Sequence, residues 1–258
     1  MKKWLSVFVL AAFSFYSCKK DSSPINPVID PPAAKPSKIK SIRTDYYLST
    51  VIGPHKYMNA FYTYDVQGRM IQYLTDEDSA FKAVFSYPDA STFIEDLYIG
   101  TKFDSRTTHF LDAQNKLDSA FYIHNNIDTT GKEKYVYNSA GLLVTQLRFD
   151  ISGGQWAASD PSRYEYDSKG NLTKAVNPAD STEFTYYLDK FNLQESVWAY
   201  HINSPNLVEY EKYHSWASYT VQYRHTYSFD NQMRVKTDTA KVVGTSDYVV
   251  KTFSYLDF

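Results

Sequence analysis

The chain has 258 residues and 27 basic against 29 acidic side chains, a formal net charge of -2, with no cluster of Lys or Arg. A protein that neutralises phosphates needs a basic stripe, so nothing here points to a nucleic-acid partner. A single cysteine rules out a disulfide within the chain, and 24 tyrosines and 16 phenylalanines against nine glycines favour many short strands over helices.

At the start, Lys2 and Lys3 precede an apolar run from Trp4 to Phe13. The run is too short to span a bilayer and has the length of a secretory signal core, so residues 1–17 are expected to be a signal peptide. They carry two lysines and no acid, which leaves 25 basic against 29 acidic residues, net -4, in the remainder. The segment ends Phe15-Tyr16-Ser17-Cys18, and Cys18 is the lone cysteine. This resembles the lipobox of bacterial lipoproteins, with Ser17 as the small residue before the cysteine and Phe15 where leucine is usual. The resemblance implies that Cys18 is acylated and that the protein is held to a membrane by lipid.

Residues 19–38 hold five of the ten prolines, at 24, 27, 31, 32 and 36, and almost no bulky apolar side chain. Such a stretch cannot bury enough surface to fold, so residues 18–38 are expected to be an acylated cysteine followed by a disordered tether. Its first residues, Lys19-Lys20-Asp21-Ser22-Ser23, resemble the signal that follows the cysteine in surface-exposed lipoproteins of Bacteroidota. Whether the protein faces the cell surface or the periplasm stays open at this point. Residues 39–258 are expected to form one domain.

Within that domain one phrase recurs. Phe61-Tyr62-Thr63-Tyr64-Asp65-Val66-Gln67-Gly68-Arg69-Met70 reads as a β-hairpin. Asp65 can accept a bond from the backbone two residues on, and Gly68 can take the positive φ that a short loop requires. Tyr62 and Tyr64 share one face of the strand. Copies follow with acid or Asn at 112, 138, 167, 189 and 230, the copy at 189 being one residue shorter. Lost copies are expected at Phe85–Asp89 and around Glu209–Tyr213, which makes the period ~24 residues, one two-stranded hairpin. A second turn recurs at Asp78-Ser79 and Asp180-Ser181. Asn115 and Met233 stand where the other copies carry glycine.

The phrase resembles the tyrosine-aspartate (YD) repeat of Rhs-type and teneurin shells. The whole plan resembles an uncharacterised Bacteroidota lipoprotein family described as having a porin-like fold. That likeness implies an all-β antiparallel meander of repeated hairpins, about 14 to 16 strands, curled into a barrel or half-barrel. An integral outer-membrane barrel is a weaker expectation. The chain does end in phenylalanine, but Arg163-Tyr164-Glu165-Tyr166 and Gln194-Glu195-Ser196-Val197 lack a lipid-facing band.

The search for chemistry is mostly negative. Six histidines show no metal-ligand spacing, and Asp76-Glu77-Asp78 lacks the Gly and distal Glu of a calcium loop. No serine-hydrolase elbow, phosphate-binding loop or dinucleotide glycine set is present, so neither enzyme activity nor cofactor nor metal is expected. Candidate ligand-binding residues are Trp156, Trp198, Trp216, Tyr210 and Tyr213, aromatics in or near the least regular segments, where a sugar or a protein partner could stack. Five tripeptides, beginning at Asp78, Asp118, Asp128, Asp180 and Asp238, also resemble the O-glycosylation signal of Bacteroidota envelope proteins. The expected function is a non-catalytic, lipid-anchored envelope protein of the outer membrane that binds a glycan or partner protein. The alternatives are a purely structural envelope component, an integral barrel, or an enzyme with acids inside a lumen.

Overall fold

The structure is a computed structural model that describes residues 38–47, 56–76, 81–124, 129–152, 154–192, 204–216 and 219–256. All of them belong to one compact unit, Ala33–Phe258. The first nine strands are β1 (Ile39–Tyr47), β2 (Lys56–Tyr64), β3 (Met70–Thr75), β4 (Phe81–Asp89), β5 (Thr92–Ile99), β6 (Lys102–Leu111), β7 (Leu117–His124), β8 (Gly131–Tyr137) and β9 (Leu143–Ser152). Then come β10 (Gln155–Ala158), β11 (Ser162–Tyr166), β12 (Leu172–Val176), β13 (Asp180–Phe191), β14 (Asn206–Ser215), β15 (Thr220–Phe229), β16 (Val235–Val242) and β17 (Tyr248–Tyr255).

Strands adjacent in sequence pair antiparallel, and β17 returns to β1 in a register running from Ile39 opposite Tyr255 to Tyr47 opposite Tyr248. On its other side β1 pairs β2, so the sheet closes. β10 stands apart. The first half of β9 pairs β11 through Thr145 and Gln146, and its last four residues pair β10. Sixteen strands therefore make a closed antiparallel barrel, and β10 is one extra strand laid along the end of β9. Closure removes the sheet edges that an open meander would expose.

The recurring phrase makes the turns at one rim. The Asp65 amide bonds the Arg69 carbonyl, the Gly68 amide bonds the Asp65 carbonyl, and the Asp65 carboxylate accepts the amides of Gln67 and Arg69. The same set recurs at Asp112, Asn138, Asp167 and Asp230. Three residues after each acid or Asn, φ is positive: 77° at Gly68, 59° at Asn115, 77° at Gly141, 86° at Gly170 and 61° at Met233. Asn115 and Met233 thus break the sequence pattern but keep its backbone.

Asp89 ends β4 at a tight turn and accepts the Ser91 amide, so the lost copy expected there is a hairpin turn. Two other expectations need correcting. Asp189 lies inside β13, which runs on through Lys190 to Phe191, and Glu209–Tyr213 lies in the middle of β14. At both places strand pairing continues, with Phe191 opposite Asn206 and Tyr210 opposite Arg224, so the chain stays extended. The turn expected at Asp78 is outside the described residues.

A tyrosine clip joins neighbouring hairpins. The hydroxyls of Tyr64, Tyr87, Tyr166, Tyr186 and Tyr255 donate to the carbonyls of Ile39, Met70, Leu143, Leu172 and Val235 at 2.6–2.8 Å. Met70, Leu143, Leu172 and Val235 each lie five residues past a turn acid or Asn. The residue just before the acceptor is often basic and stacks on the same ring: Lys38 on Tyr64, Arg69 on Tyr87, Arg234 on Tyr255. Burial pushes the Tyr166 and Tyr186 hydroxyls up to about 12, keeping them protonated donors.

Strand alternation separates two faces. Tyr62, Ala83, Phe85, Phe93, His109, Ala120 and Tyr135 are buried, and in a single closed sheet the buried face is the inner one. The opposite face carries exposed Phe61, Phe121 and Val136 together with the ion pairs Asp96–Arg106, Asp118–Lys134 and Lys174–Glu183. A barrel of this strand number is of the size that encloses water, and Lys251, inward beside Thr44 and Asp238, is exposed.

Candidate functional site

All the acid-led turns lie at one rim, so the connections β1–β2, β3–β4, β5–β6, β7–β8, β9–β11, β12–β13, β14–β15 and β16–β17 lie at the other. Among the described residues that second rim shows no recurrence of the acid-led turn. It carries aromatics: exposed Tyr47 stacks on half-buried Tyr248 at 4.4 Å between centroids, and exposed Tyr219 and Trp216 flank the β14–β15 connection.

Trp156 is on β10, 42% exposed, and faces outward. Its ring lies 4.8 Å from the Lys132 ammonium, which also stands 4.9 Å from the Phe149 ring, so one cation bridges two aromatic faces. Trp216 is 76% exposed, and its amide reaches the Ala179 carbonyl at 3.4 Å. Tyr213 faces the lumen: its hydroxyl donates to Asp180 at 3.3 Å, and its ring lies tilted against Tyr219. Desolvation, then the Asp180 charge, raises the Tyr213 hydroxyl above its ordinary value. Tyr210, three residues earlier, points outward beneath Arg224 at 5.6 Å. The candidates do not converge, because β12 and β13 stand between the β10–β11 position and β14, and Tyr210 and Tyr213 take opposite faces. Trp198 and Cys18 lie outside the described residues.

The lumen holds polar groups that sequence inspection left as ordinary strand residues. Glu133 is buried and accepts the Tyr135 hydroxyl at 2.6 Å. Arg148 lies opposite it on β9 and pairs with Asp150 at 3.1 Å, while Tyr164 donates to Gln146. Burial, then the Glu133 charge, drives the Tyr122 and Tyr135 hydroxyls far above their usual range, so both stay protonated. On the facing strands His109 stacks on Phe93 at 4.3 Å and approaches Glu95 at 3.4 Å. On β15, His225 sits between Asp238 at 3.0 Å and Glu211 at 3.6 Å. Burial alone would lower its pKa, but the hydrogen bond to the Asp238 carboxylate and then the nearby Glu211 carboxylate outweigh this and raise it to about 9. One signal could have found these groups. Glu133, Tyr135 and Tyr137 step two by two toward the turn at Asn138, and His225 and Tyr227 do the same toward Asp230, so the tyrosine of the phrase marks the inward face.

These acids do not form an acid/base pair. Glu95 and Glu133 are separated by β6 and β7, three strand spacings or roughly 14 Å, beyond the ~5–9.5 Å of paired glycosidase carboxylates. The His225 ring fills the gap between Asp238 and Glu211. Among the described residues no group of three or more His, Cys, Asp or Glu is placed to hold a metal ion.

Among solved structures the chain is similar to a porin-like protein of Bacteroides uniformis, at 13% identity and a TM-score of 0.60, over 86% of this chain and 100% of that one. What that likeness carries is the fold. A porin-like protein of Bacteroides vulgatus matches at 11% identity, again over 86% of this chain and 100% of that one, with a TM-score of 0.38. No protein-family model matches the sequence, and no curated protein does.

Proposed function

We propose that this protein is a non-catalytic β-barrel of the bacterial envelope, anchored in the outer membrane through acylated Cys18 and binding a glycan or partner protein at its loop rim. The observation that carries the reading is the outward face. Ion pairs such as Asp96–Arg106 and Lys174–Glu183 sit mid-strand where a spanning barrel would need an unbroken apolar band. Such a barrel faces water on both sides and needs a separate anchor, which the sequence around Cys18 supplies. The exposed aromatics at one rim are the surface a ligand would meet, and the carboxylates of the lumen are engaged with neighbours rather than paired for catalysis.

A pore that spans the membrane is the second reading, favoured by the porin-like description of the Bacteroides uniformis neighbour. Growth with an alkyne fatty acid separates the two. The anchored reading expects label on the wild type, none on Cys18→Ala, and a Cys18→Ala protein soluble without detergent; a Cys18→Ala protein that still extracts only in detergent would support the pore. A glycan array and a pulldown then test binding, and silence in both with a normal fold would leave a structural component.

A further inference from the structure

Among the described residues β10 is paired on one side alone. This strand pairs with β9 alone, in a register from Gln155 opposite Ser152 to Ala158 opposite Phe149. The Ser159 amide donates to the Arg148 carbonyl at 2.9 Å, which fixes the phase of the ladder. Antiparallel residues alternate between exchanging both backbone bonds and exchanging none. Gln155 and Ala157 therefore turn their N–H and C=O toward β9, and Trp156 and Ala158 turn theirs away, toward an edge with no strand on it among the described residues.

Natural edge strands are protected by charge, proline or a covering element. Gln155-Trp156-Ala157-Ala158 has neither charge nor proline, and all four residues are exposed. The surroundings carry charge of both signs, with exposed Asp160 just after β10, but the charge against the Trp156 face is a cation. Lys132, against the Trp156 ring, and Arg163, outward on β11, carry no ion pair among the described residues.

We infer that the free edge of β10 is a strand-addition site that captures an extended acidic peptide segment of a partner protein, with Trp156 as the aromatic contact and Lys132 as the charge contact. This rests on the reading of the chain as a binding protein and names its partner class. Backbone bonds from Trp156 and Ala158 supply the pairing, and alternate side chains of the guest fall on the outward face beside Trp156.

The test uses the full chain in detergent and blocked eight-residue peptides that alternate Thr with Glu, Thr with Lys or Thr with Gln, alongside maltohexaose and chitohexaose. Amide exchange is followed residue by residue. In the free protein the Trp156 and Ala158 amides exchange faster than those of Ala157 and Ser159, and the Thr–Glu peptide slows both while the Thr–Lys peptide does not. Ala158→Pro removes an amide that β9 does not use, so it weakens the Thr–Glu peptide by roughly tenfold or more with the melting temperature unchanged. Lys132→Gln weakens it less and flattens its salt dependence. Protection absent with every peptide at millimolar concentration, or binding unaffected by Ala158→Pro, overturns the inference. A dimer that Ala158→Pro dissolves overturns it in favour of a second copy at the edge. Binding of an oligosaccharide without amide protection also overturns it, yet leaves the envelope-binding reading standing.

Discussion

The two rims of the barrel are built on opposite principles. At the acid-led rim five turns repeat one arrangement, a carboxylate or amide oxygen capping two amides and a residue at positive φ, and at four of them a tyrosine of the next hairpin is bonded just beyond. At the other rim the described residues show no such repeat, aromatics stand exposed, and β10 has no strand on its outer side among the described residues. The repeat that dominates the sequence is thus the device that joins neighbouring hairpins, and the exposed aromatics Tyr219 and Trp216 stand away from it.

If the acid-led rim holds the barrel together, its substitutions should cost most. Asn171 has no exposed surface, bonds the Asp167 carboxylate, and joins this turn to the neighbouring hairpin through the Asn206 amide and side chain. Asn171→Ala would leave the buried Asn206 amide without its acceptor and should lower stability by about 3 kcal/mol in urea melts. A loss below about 1 kcal/mol would mean that the turns are independent ornaments.

The wall between the rims adds a pH dependence. His225 has its pKa raised to about 9 by Asp238 and Glu211, from 6.5. A group with a raised folded pKa contributes stability that is complete below its unfolded pKa and is lost as pH climbs through the folded one. Stability should therefore fall between pH 6.5 and 9 by about 2–3 kcal/mol, and His225→Gln should flatten that slope. An unchanged slope would show that His225 is neutral in the lumen.

Smaller effects sharpen the contrast. Met233 holds φ at 61°, a strained value for any residue but glycine, so Met233→Gly should raise stability by about 1 kcal/mol. Tyr166→Phe removes the bond to Leu143 and should cost about 1 kcal/mol. At the other rim Trp216→Ala should shift stability by no more than about 0.5 kcal/mol, since the side chain is mostly in water.

Much of the fold could be read in the sequence because the turns are local. Asp65 and Gly68 state their geometry without reference to the rest of the chain, and the same spacing located the turns at Asp112, Asn138, Asp167 and Asp230. Closure was harder to read, since the β1–β17 pairing joins residues more than 200 apart and no local pattern records it. The local pattern also misled at Asp189, where β13 runs on until Phe191 pairs with Asn206. Of the candidate site, Trp156 was legible as an aromatic in an irregular stretch. The free edge beside it was not, because it depends on β12 ending at Val176, opposite Arg163, short of β10. Tyr210 and Tyr213 look alike in sequence and differ only by strand parity.

The central claim, a barrel whose outward face meets water while an acyl chain holds it to the membrane, is tested most directly by lysine accessibility. Full-length protein reconstituted in liposomes is treated with a membrane-impermeant amine reagent, and modification is read at Lys82, Lys134, Lys174, Lys212 and Lys241, outward positions of β4, β8, β12, β14 and β16. The account predicts that all five react to the same extent as in detergent-free Cys18→Ala protein. Protection of these five lysines in liposomes, with reaction only at the loops, would place lipid against the outward face and contradict it.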